Sequence, residues 1–360
     1  MVAGNVDIEG CIKRSCDLEG QPLSGRSLGA IVESYQDGSY LAESIKGSQA
    51  DQDFKTKFID ENEAYVQFGG TDRYFLRVCH NIRSSGRCDE LFLFIHGLGG
   101  NLEQFEPLLR MLDETGRQFL ALDLPGFGKS DEWDRYCMYD VVEAIHQAVD
   151  KIAKSGGYGK LTIVGHSMGC YLSVHYYLKY HEEVNRLVLL APPKPNVDYL
   201  AKNRYWIQIG LHTGHKFPWL FDIYRERFDQ CKGLKSSGIR QFFHREGGVT
   251  SSYRKLWQFH NNVQIKSRSI FGYFLGWREI DWSELNDVLI KAGAQTSLVI
   301  MCGDRDEITP VQYSSDISDL LPGANAKKLI AIRDCGHNLC FDYPEVVLKE
   351  FHENVLSELS

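Results

Sequence analysis

The residues with the clearest chemical potential surround Ser167, in the stretch Val-Gly-His-Ser-Met-Gly-Cys. An apolar run at 161–164 precedes this stretch and a segment with helical character at 171–180 follows it, so the serine falls where a strand becomes a helix. A turn this tight requires small residues on both sides, here Gly165 and Gly169, and it raises the hydroxyl above a sheet at the positive end of the next helix. The pattern predicts a nucleophilic serine; a glycine-rich turn without chemistry is the alternative.

A serine hydroxyl is a weak nucleophile until a base accepts its proton, and an acid must hold that base in the correct tautomer. The loop after an apolar run at 298–301 offers the acid, and the loop after a second run at 328–332 offers His337, directly preceded by a glycine. Serine, acid and histidine follow one another in the order expected for such a nucleophile. We favour Asp306 over Asp304, because it lies three residues after the loop's glycine and four before its proline; Asp304 is then a turn residue.

Acyl transfer at a serine also requires N–H donors for a developing oxyanion. The backbone N–H of Met168, directly after the nucleophile, is one expected donor. Leu98 is the other, in a loop after the apolar run 91–95 whose glycines let the backbone approach a substrate. His96 in this loop is an alternative base, but its position favours a structural role, and we expect a structural role for Asp123 in a nearby turn.

These loops need a scaffold, and the chain alternates predicted strands with predicted helices. Strands are predicted at 64–68, 74–79, 91–95, 119–122, 161–164, 186–190, 298–301 and 328–332. Helices are predicted at 102–115, 141–153, 171–180, 311–321 and 346–356. This alternation predicts an α/β fold with a mostly parallel central sheet and helices on both faces.

Three regions are expected along the chain. They are an N-terminal extension at 1–55, a core at 56–193 and 295–360, and an insertion at 194–294. The insertion is too long for a connecting loop and has helical patterns of its own, so we interpret it as a mainly helical lid. The extension is polar and weakly patterned, and we expect it to be loosely packed, with helices near 28–34 and 39–45.

The composition of the 360 residues disfavours several classes of protein. No stretch approaches the roughly 18 apolar residues of a spanning helix, and the N-terminus lacks the pattern of a secretory signal. Ten cysteines without paired spacing suggest free thiols in a reducing compartment. The net charge of −8 disfavours nucleic-acid binding. No cofactor motif and no clustered metal ligands occur, so neither a cofactor nor a metal is predicted; the oligomeric state stays open.

The lid differs from the rest of the chain in charge and aromatic content. Residues 199–282 contain 14 Lys and Arg against 6 Asp and Glu, a net charge of +8 that leaves −16 for the remainder. The same window holds 18 of the 43 aromatic residues and five of the six tryptophans. These aromatics either fill the lid's own core or form an acyl-chain pocket and a face that docks on a phospholipid monolayer, where Trp, Tyr and basic residues are favoured.

The motifs together resemble a known family. They are HGLGG at 96–100, DLPGFGKS at 123–130, GHSMG at 165–169, GDRDEITP at 303–310 and CGH at 335–337. In this order they resemble the α/β-hydrolase-fold serine hydrolases, and stretches at 100–109, 232–239 and 337–342 resemble the lipid droplet hydrolases of yeast. The resemblance implies an ester hydrolase and triacylglycerol lipase, with phospholipase activity as an addition, at the droplet surface. The resemblance also implies a peroxisomal location, but this chain ends in Glu-Leu-Ser rather than in a Ser-Lys-Leu type address, so peroxisomal import stays open.

Two other functions stay open. His337 and Asp342 form a His-x4-Asp pattern associated with lysophospholipid acyltransfer in some proteins of this fold. Acyl transfer would use the same acyl-serine with a lysolipid in place of water. A non-catalytic binding or scaffold protein is the second alternative, and the intact Ser167, Asp306 and His337 argue against it. Epoxide and haloalkane hydrolysis require an aspartate at the nucleophile position, so Ser167 disfavours both.

Overall fold

A computed structural model describes residues 7–35, 41–68, 74–82, 88–153, 157–197, 200, 205–324 and 327–357. Within them eight strands form one sheet: β1 (Glu63–Phe68), β2 (Tyr74–His80), β3 (Cys88–Ile95), β4 (Gln118–Leu122), β5 (Tyr158–His166), β6 (Val184–Leu190), β7 (Ser297–Gly303) and β8 (Lys327–Ile332). Their order across the sheet is β1-β2-β4-β3-β5-β6-β7-β8. The pairs β1–β2 and β2–β4 are antiparallel and the remaining pairs are parallel, which confirms the predicted mostly parallel sheet.

The helices connect and cover these strands. In chain order they are α1 (Ile8–Cys16), α2 (Leu28–Ser34), α3 (Leu41–Gly47), α4 (Ala50–Phe54), α5 (Lys57–Asn62), α6 (Glu106–Glu114), α7 (Met138–Ala153), α8 (Met168–Tyr180), α9 (Tyr205–Lys216), α10 (Trp219–Tyr224), α11 (Ser237–Arg240), α12 (Val249–Gln264), α13 (Ser267–Gly276), α14 (Trp282–Ala292), α15 (Val311–Leu320), α16 (Leu339–Asp342) and α17 (Pro344–Phe351). A 3-10 turn at Leu102–Phe105 precedes α6, and a π-helical turn at His352–Leu356 follows α17. The strands and helices predicted for the two core segments are all present, with ends that differ by a few residues. The C-terminal residues 358–360, on which the expectation about peroxisomal import rests, lie outside the described residues.

The central strands are buried on both faces, which explains why their sequences are unbroken apolar runs. Phe92 and Leu93 of β3 point to opposite faces, and both are inaccessible to solvent. On one face Leu93 shares a core with α7, α8, α14 and α15, and on the other Phe92 shares a second core with α1, α6 and α17. Helices therefore cover both faces of the sheet, as predicted.

The N-terminal segment is packed against the rest of the molecule, and the expectation of a loosely packed extension is wrong. The helix expected near 28–34 is α2; the one expected near 39–45 is α3, with residues 39 and 40 outside the described residues. Helices α1 and α4 were not expected. The apolar residues of α2 to α4 are buried in a third cluster with α12: Leu28, Ile31, Leu41, Ile45, Ala50 and Phe54. The partner helix lies some 200 residues along the chain, so no local pattern indicates this burial.

The inserted lid consists mainly of helices α9 to α14, as predicted. Its parts differ in burial. Helices α9 and α10 contain no buried residue, whereas one face of α12 is buried and includes Tyr253, Leu256 and Trp257. Within the part of the chain that the structure describes, no helix is both long and apolar enough to cross a bilayer.

Candidate active site

Ser167 lies at the junction of β5 and α8, in a conformation that few residues adopt. Its φ is 52° and its ψ is −123°, which is unfavourable for a residue with a side chain. A Cβ on Gly165 would lie 2.6 Å from the Gly169 carbonyl oxygen, and a Cβ on Gly169 would lie 2.7 Å from the His96 carbonyl oxygen. Close backbone approach therefore requires both glycines, and the turn has the tight geometry of a nucleophile elbow.

His337 and Asp306 meet at the same edge of the sheet, on the loops after β8 and β7. His337 Nδ1 lies 2.7 Å from Asp306 Oδ2, and both side chains are buried. The backbone N–H groups of Ile308 and Thr309 donate to Asp306 Oδ1, each at 2.8 Å, and the Thr309 hydroxyl donates to Oδ2 at 2.7 Å. Asp306 is thus fixed in orientation. It places the proton on Nδ1 of His337 and leaves Nε2 as the basic nitrogen, which is the tautomer a general base requires.

The pKa of Asp306 lies below its ordinary value. Burial raises the pKa of this carboxyl, but the charge of His337 and the hydrogen bonds from His337 and Thr309 outweigh burial. Asp306 is therefore an ionised partner for the histidine at neutral pH. The competing acid Asp304 is used elsewhere, because its Oδ1 accepts a hydrogen bond from the Asp334 N–H at 2.8 Å.

Ser167 and His337 line one cavity of about 640 Å³. Leu98 and Met168 line it as well, so the structure brings together the serine, the histidine and both backbone segments expected to bind an oxyanion. The apolar wall is built from core and lid residues: Val197, Leu200, Phe242, Phe274, Trp277 and Ile308. Among the described residues, no three His, Cys, Asp or Glu side chains are arranged to hold a metal ion.

His96 holds the loop after β3 in place. Its Nε2 accepts a hydrogen bond from the Leu124 N–H at 2.8 Å, and its Nδ1 donates to the Gly97 carbonyl oxygen at 2.7 Å. The C=O and the N–H of a trans peptide point in opposite directions, so anchoring this carbonyl also fixes the direction of the Leu98 N–H. Gly97 is close to the nucleophile, since a Cβ on it would lie 2.8 Å from Ser167 Cβ. Burial lowers the pKa of His96, which agrees with a neutral, structural histidine.

Asp123 is buried in the turn after β4, and its carboxylate has structural partners. It accepts hydrogen bonds from the backbone N–H groups of Leu102 and Lys129, each at 2.8 Å. It also lies 3.3 Å from the guanidinium of buried Arg77, which pairs with Glu103 at 2.8 Å. This network joins the turn after β4 to the segment that follows the β3 loop.

His166, the residue before the serine, is a site residue that the sequence did not single out. Its Nε2 donates to the carbonyl oxygen of His337 at 2.9 Å, across a separation of 171 residues. Burial, and secondarily the nearby His337, lowers the pKa of His166 to about 3, so its ring is neutral. The contact supports the backbone of the histidine loop. No signal in the sequence links two residues so far apart.

Asp342 of the His-x4-Asp pattern has its carboxylate occupied by backbone donors. It accepts from the N–H groups of Gly336 at 2.6 Å, His244 at 3.1 Å and Arg245 at 2.9 Å. Asp342 therefore ties a lid loop to the loop that carries the histidine. This structural role accounts for the aspartate and gives no support to a direct part in acyl transfer.

Comparison with known proteins agrees with this geometry. The sequence profile of the α/β hydrolase fold matches residues 90–344, and the chain belongs to this family. The resemblance drawn from the motifs and the expected fold class are thereby confirmed.

Individual relatives are similar over different lengths. Lipid droplet hydrolase 1 of Saccharomyces cerevisiae is 42% identical over 356 residues, which cover 93% of this chain and 95% of that protein. A human 1-acylglycerol-3-phosphate O-acyltransferase is 32% identical over 126 residues, 34% of each chain. Among solved structures, an esterase from Exiguobacterium antarcticum has a TM-score of 0.59 at 21% identity and covers 81% of this chain and 98% of its own. That last likeness shows the fold.

Proposed function

We propose that the protein is a serine hydrolase that cleaves carboxylic esters of lipids, with triacylglycerols as principal substrates and phospholipids as a further class. The observation that carries the proposal is the Asp306–His337 pair at 2.7 Å, with His337 and the strained Ser167 lining one cavity. Support for a lipid substrate comes from the apolar wall of this cavity and from the 42% identity to a protein named a lipid droplet hydrolase.

In the proposed reaction the acyl group passes first to Ser167 and then to water. His337 Nε2 accepts the serine proton as Oγ attacks the ester carbonyl carbon, and the backbone N–H groups of Leu98 and Met168 donate to the oxyanion. His337 then protonates the departing alcohol. Water, deprotonated by the same histidine, attacks the acyl-serine and releases the fatty acid. Asp306 stabilises the positive charge on His337 during both steps.

The size of the cavity suggests how much of a substrate it encloses. A cavity of about 640 Å³ lies within the range of about 300–1,000 Å³ typical of small-molecule sites. We expect it to hold one acyl chain and its ester group. The other chains of a triacylglycerol then stay outside the cavity, in the lipid phase from which the substrate is drawn.

We further propose that the lid docks on the phospholipid monolayer of a lipid droplet from the cytoplasmic side. Helices α9 and α10 and the turn after them expose large apolar side chains: Tyr205, Trp206, Ile209, Phe217, Trp219, Leu220, Ile223, Tyr224 and Phe228. We call this set the α9–α10 face. Exposed apolar side chains in a segment of net positive charge suit an anionic lipid surface, and residues 199–282 carry a net charge of +8.

The experiment that tests the proposed function is fatty-acid release from triolein emulsified with phospholipid, by the wild type and by Ser167→Ala. We expect release by the wild type and a loss of at least about a thousandfold in the variant, because Ser167 carries the acyl group in the proposed reaction. Equal release by both proteins would contradict the assignment. A parallel assay with lysophosphatidic acid and acyl-CoA measures acyl transfer, and transfer without release would favour the acyltransferase alternative.

A further inference from the structure

Helix α12 belongs to the lid in sequence, but its contacts fix it to the core. Trp257 Nε1 donates to Glu103 Oε2 at 2.8 Å, in the turn that follows the β3 loop. Tyr253 Oη and Arg254 Nη2 donate to backbone carbonyl oxygens of the N-terminal segment, at 3.2 Å and 2.9 Å. The three donating side chains are buried. A helix with buried contacts on both sides belongs to the stable part of a fold rather than to a mobile flap.

Asn261 on α12 reaches the loop that carries the expected oxyanion donor. Its Nδ2 donates to the carbonyl oxygen of Gly99 at 2.7 Å, and its Oδ1 accepts from Asn101 Nδ2 at 3.3 Å. The side chain is only 7% exposed. Both ends of the Asn261 amide therefore bind this one loop. Helix α12, which carries Asn261, is itself fixed by its contacts with the core and with the N-terminal segment.

The hydrogen bond of Asn261 acts on Leu98 through two peptides that are joined by a hydrogen bond. The Gly99 carbonyl belongs to the peptide whose N–H is that of Gly100, and this N–H donates to the Gly97 carbonyl oxygen at 3.1 Å. The Gly97 carbonyl in turn belongs to the peptide whose N–H is that of Leu98. Because each trans peptide is planar, fixing one end fixes the direction of the other.

We propose that Asn261 is a positioning residue for the oxyanion hole, acting through the Gly99–Gly100 and Gly97–Leu98 peptides without touching the substrate. The inference rests on the proposed esterase function. The Gly97 carbonyl oxygen keeps its hydrogen bond from His96 Nδ1 at 2.7 Å, but loss of the Asn261 donor removes the second restraint, through the Gly99–Gly100 peptide, and lets the Leu98 N–H shift from the point where negative charge develops. Catalysis weakens, because this donor acts mainly in the transition state, while binding of the uncharged substrate in the apolar cavity is unaffected.

The test compares Asn261→Ala with Asn286→Ala in the full chain. Asn286 is an asparagine on helix α14, and its Oδ1 accepts from the Gly323 N–H at 2.9 Å, away from the residues that line the cavity. Hydrolysis of p-nitrophenyl butyrate gives kcat and KM without a lipid surface. Inhibition by an aliphatic trifluoromethyl ketone reports on the oxyanion hole directly: Ser167 Oγ bonds to the ketone carbon, the carbonyl oxygen becomes the oxyanion, and the serine proton passes to His337.

We expect Asn261→Ala to lower kcat by at least about tenfold, to leave KM within about twofold, and to weaken the ketone in proportion to kcat. Asn286→Ala should change each by less than about twofold. Asn261→Leu, which has a similar size but no donor, should match the alanine variant and serves if that variant does not fold. Equal losses at both positions, or a lower kcat with unchanged ketone affinity, would overturn the role of Asn261. A wild type that does not hydrolyse the ester would overturn the proposed function itself.

Discussion

At Ser167 the backbone holds a conformation that costs a residue with a side chain roughly 1–3 kcal/mol. Neighbouring hydrogen bonds maintain it: the Ser167 N–H donates to the Leu190 carbonyl oxygen at 2.9 Å, and the Ser167 carbonyl oxygen accepts from the Cys170 N–H at 2.9 Å. The strain occurs at the residue whose hydroxyl must project from the end of β5 into the cavity. Fixed geometry at the nucleophile is thus obtained at the expense of stability.

Ser167→Gly should therefore be more stable than Ser167→Ala. Both variants lack the hydroxyl and should be inactive. Only glycine, which has no Cβ, adopts this conformation without strain. We expect the free energy of unfolding to be about 1 kcal/mol higher for the glycine variant, since relief of strain outweighs the greater entropy of glycine in the unfolded chain. Urea unfolding of the two proteins measures this difference. A glycine variant of equal or lower stability would show that Ser167 is not strained.

Site residues that occur in a fixed order along the chain could be predicted from the sequence. Site residues that act through contacts between distant segments could not. Ser167, Asp306 and His337 stand on loops after predicted strands, so topology alone indicated that they would meet at one edge of the sheet. His166 and Asn261 gave no such signal. The hydrogen bond of Asn261 spans 162 residues and joins the lid to the core, and neither periodicity nor motif spacing encodes a contact of that range.

At the scale of elements, strands buried on both faces were predictable because their runs of apolar residues are continuous. The short N-terminal helices were not, because each buries only a few residues against a partner distant in sequence. The junction between this segment and α6 has one unusual feature. Glu106, at the start of α6, is buried and accepts a hydrogen bond from the Thr56 hydroxyl at 2.9 Å. Burial is the main cause that raises the pKa of Glu106 to about 7.

This raised pKa predicts a pH dependence of stability. The unfolded chain loses the Glu106 proton near pH 4.5, whereas the folded protein keeps it until about pH 7. Stability from this group is therefore fully present below pH 4.5 and is lost as pH rises through 7. Glu106→Gln still accepts from Thr56 but carries no charge, so it should raise the free energy of unfolding at pH 8 by more than at pH 5, relative to wild type.

Urea unfolding at the two pH values measures the effect of Glu106→Gln. The matched control is Glu114→Gln at the exposed end of the same helix, where the carboxylate pairs with Arg14 at 2.9 Å and both side chains are partly in solvent. This control should shift stability by a similar, small amount at both pH values. A Glu106→Gln effect that does not differ between pH 5 and pH 8 would mean that Glu106 is ionised in the folded protein.

At the scale of the whole molecule, charge and apolar surface are distributed unevenly. Residues 199–282 carry +8 and the remainder carries −16, so an anionic surface attracts the lid and repels the core. The apolar α9–α10 face lies within this basic region, whereas the buried α12 supports the catalytic loops. The lid thus has one part that contacts the site and another that is free to contact a surface. The uneven distribution of charge can be read from the sequence alone. Which of the lid's tryptophans are exposed cannot, because it depends on how the helices pack.

The double variant Trp206→Ala/Trp219→Ala should separate surface binding from chemistry. The two side chains are 79% and 56% exposed on the α9–α10 face, so their removal should not disturb the cavity. We expect flotation with triolein droplets coated in anionic phospholipid to fall at least about tenfold, with hydrolysis of p-nitrophenyl butyrate unchanged.

Wild-type binding should also weaken between 0.05 M and 0.5 M salt, because screening removes the attraction of the basic residues. Tyr139→Ala, an aromatic residue 53% exposed on α7 of the core, is the control and should bind like wild type. Equal loss of binding in the Tyr139→Ala control would place the lipid contact elsewhere on the molecule. So would binding that neither the double substitution nor the added salt reduces.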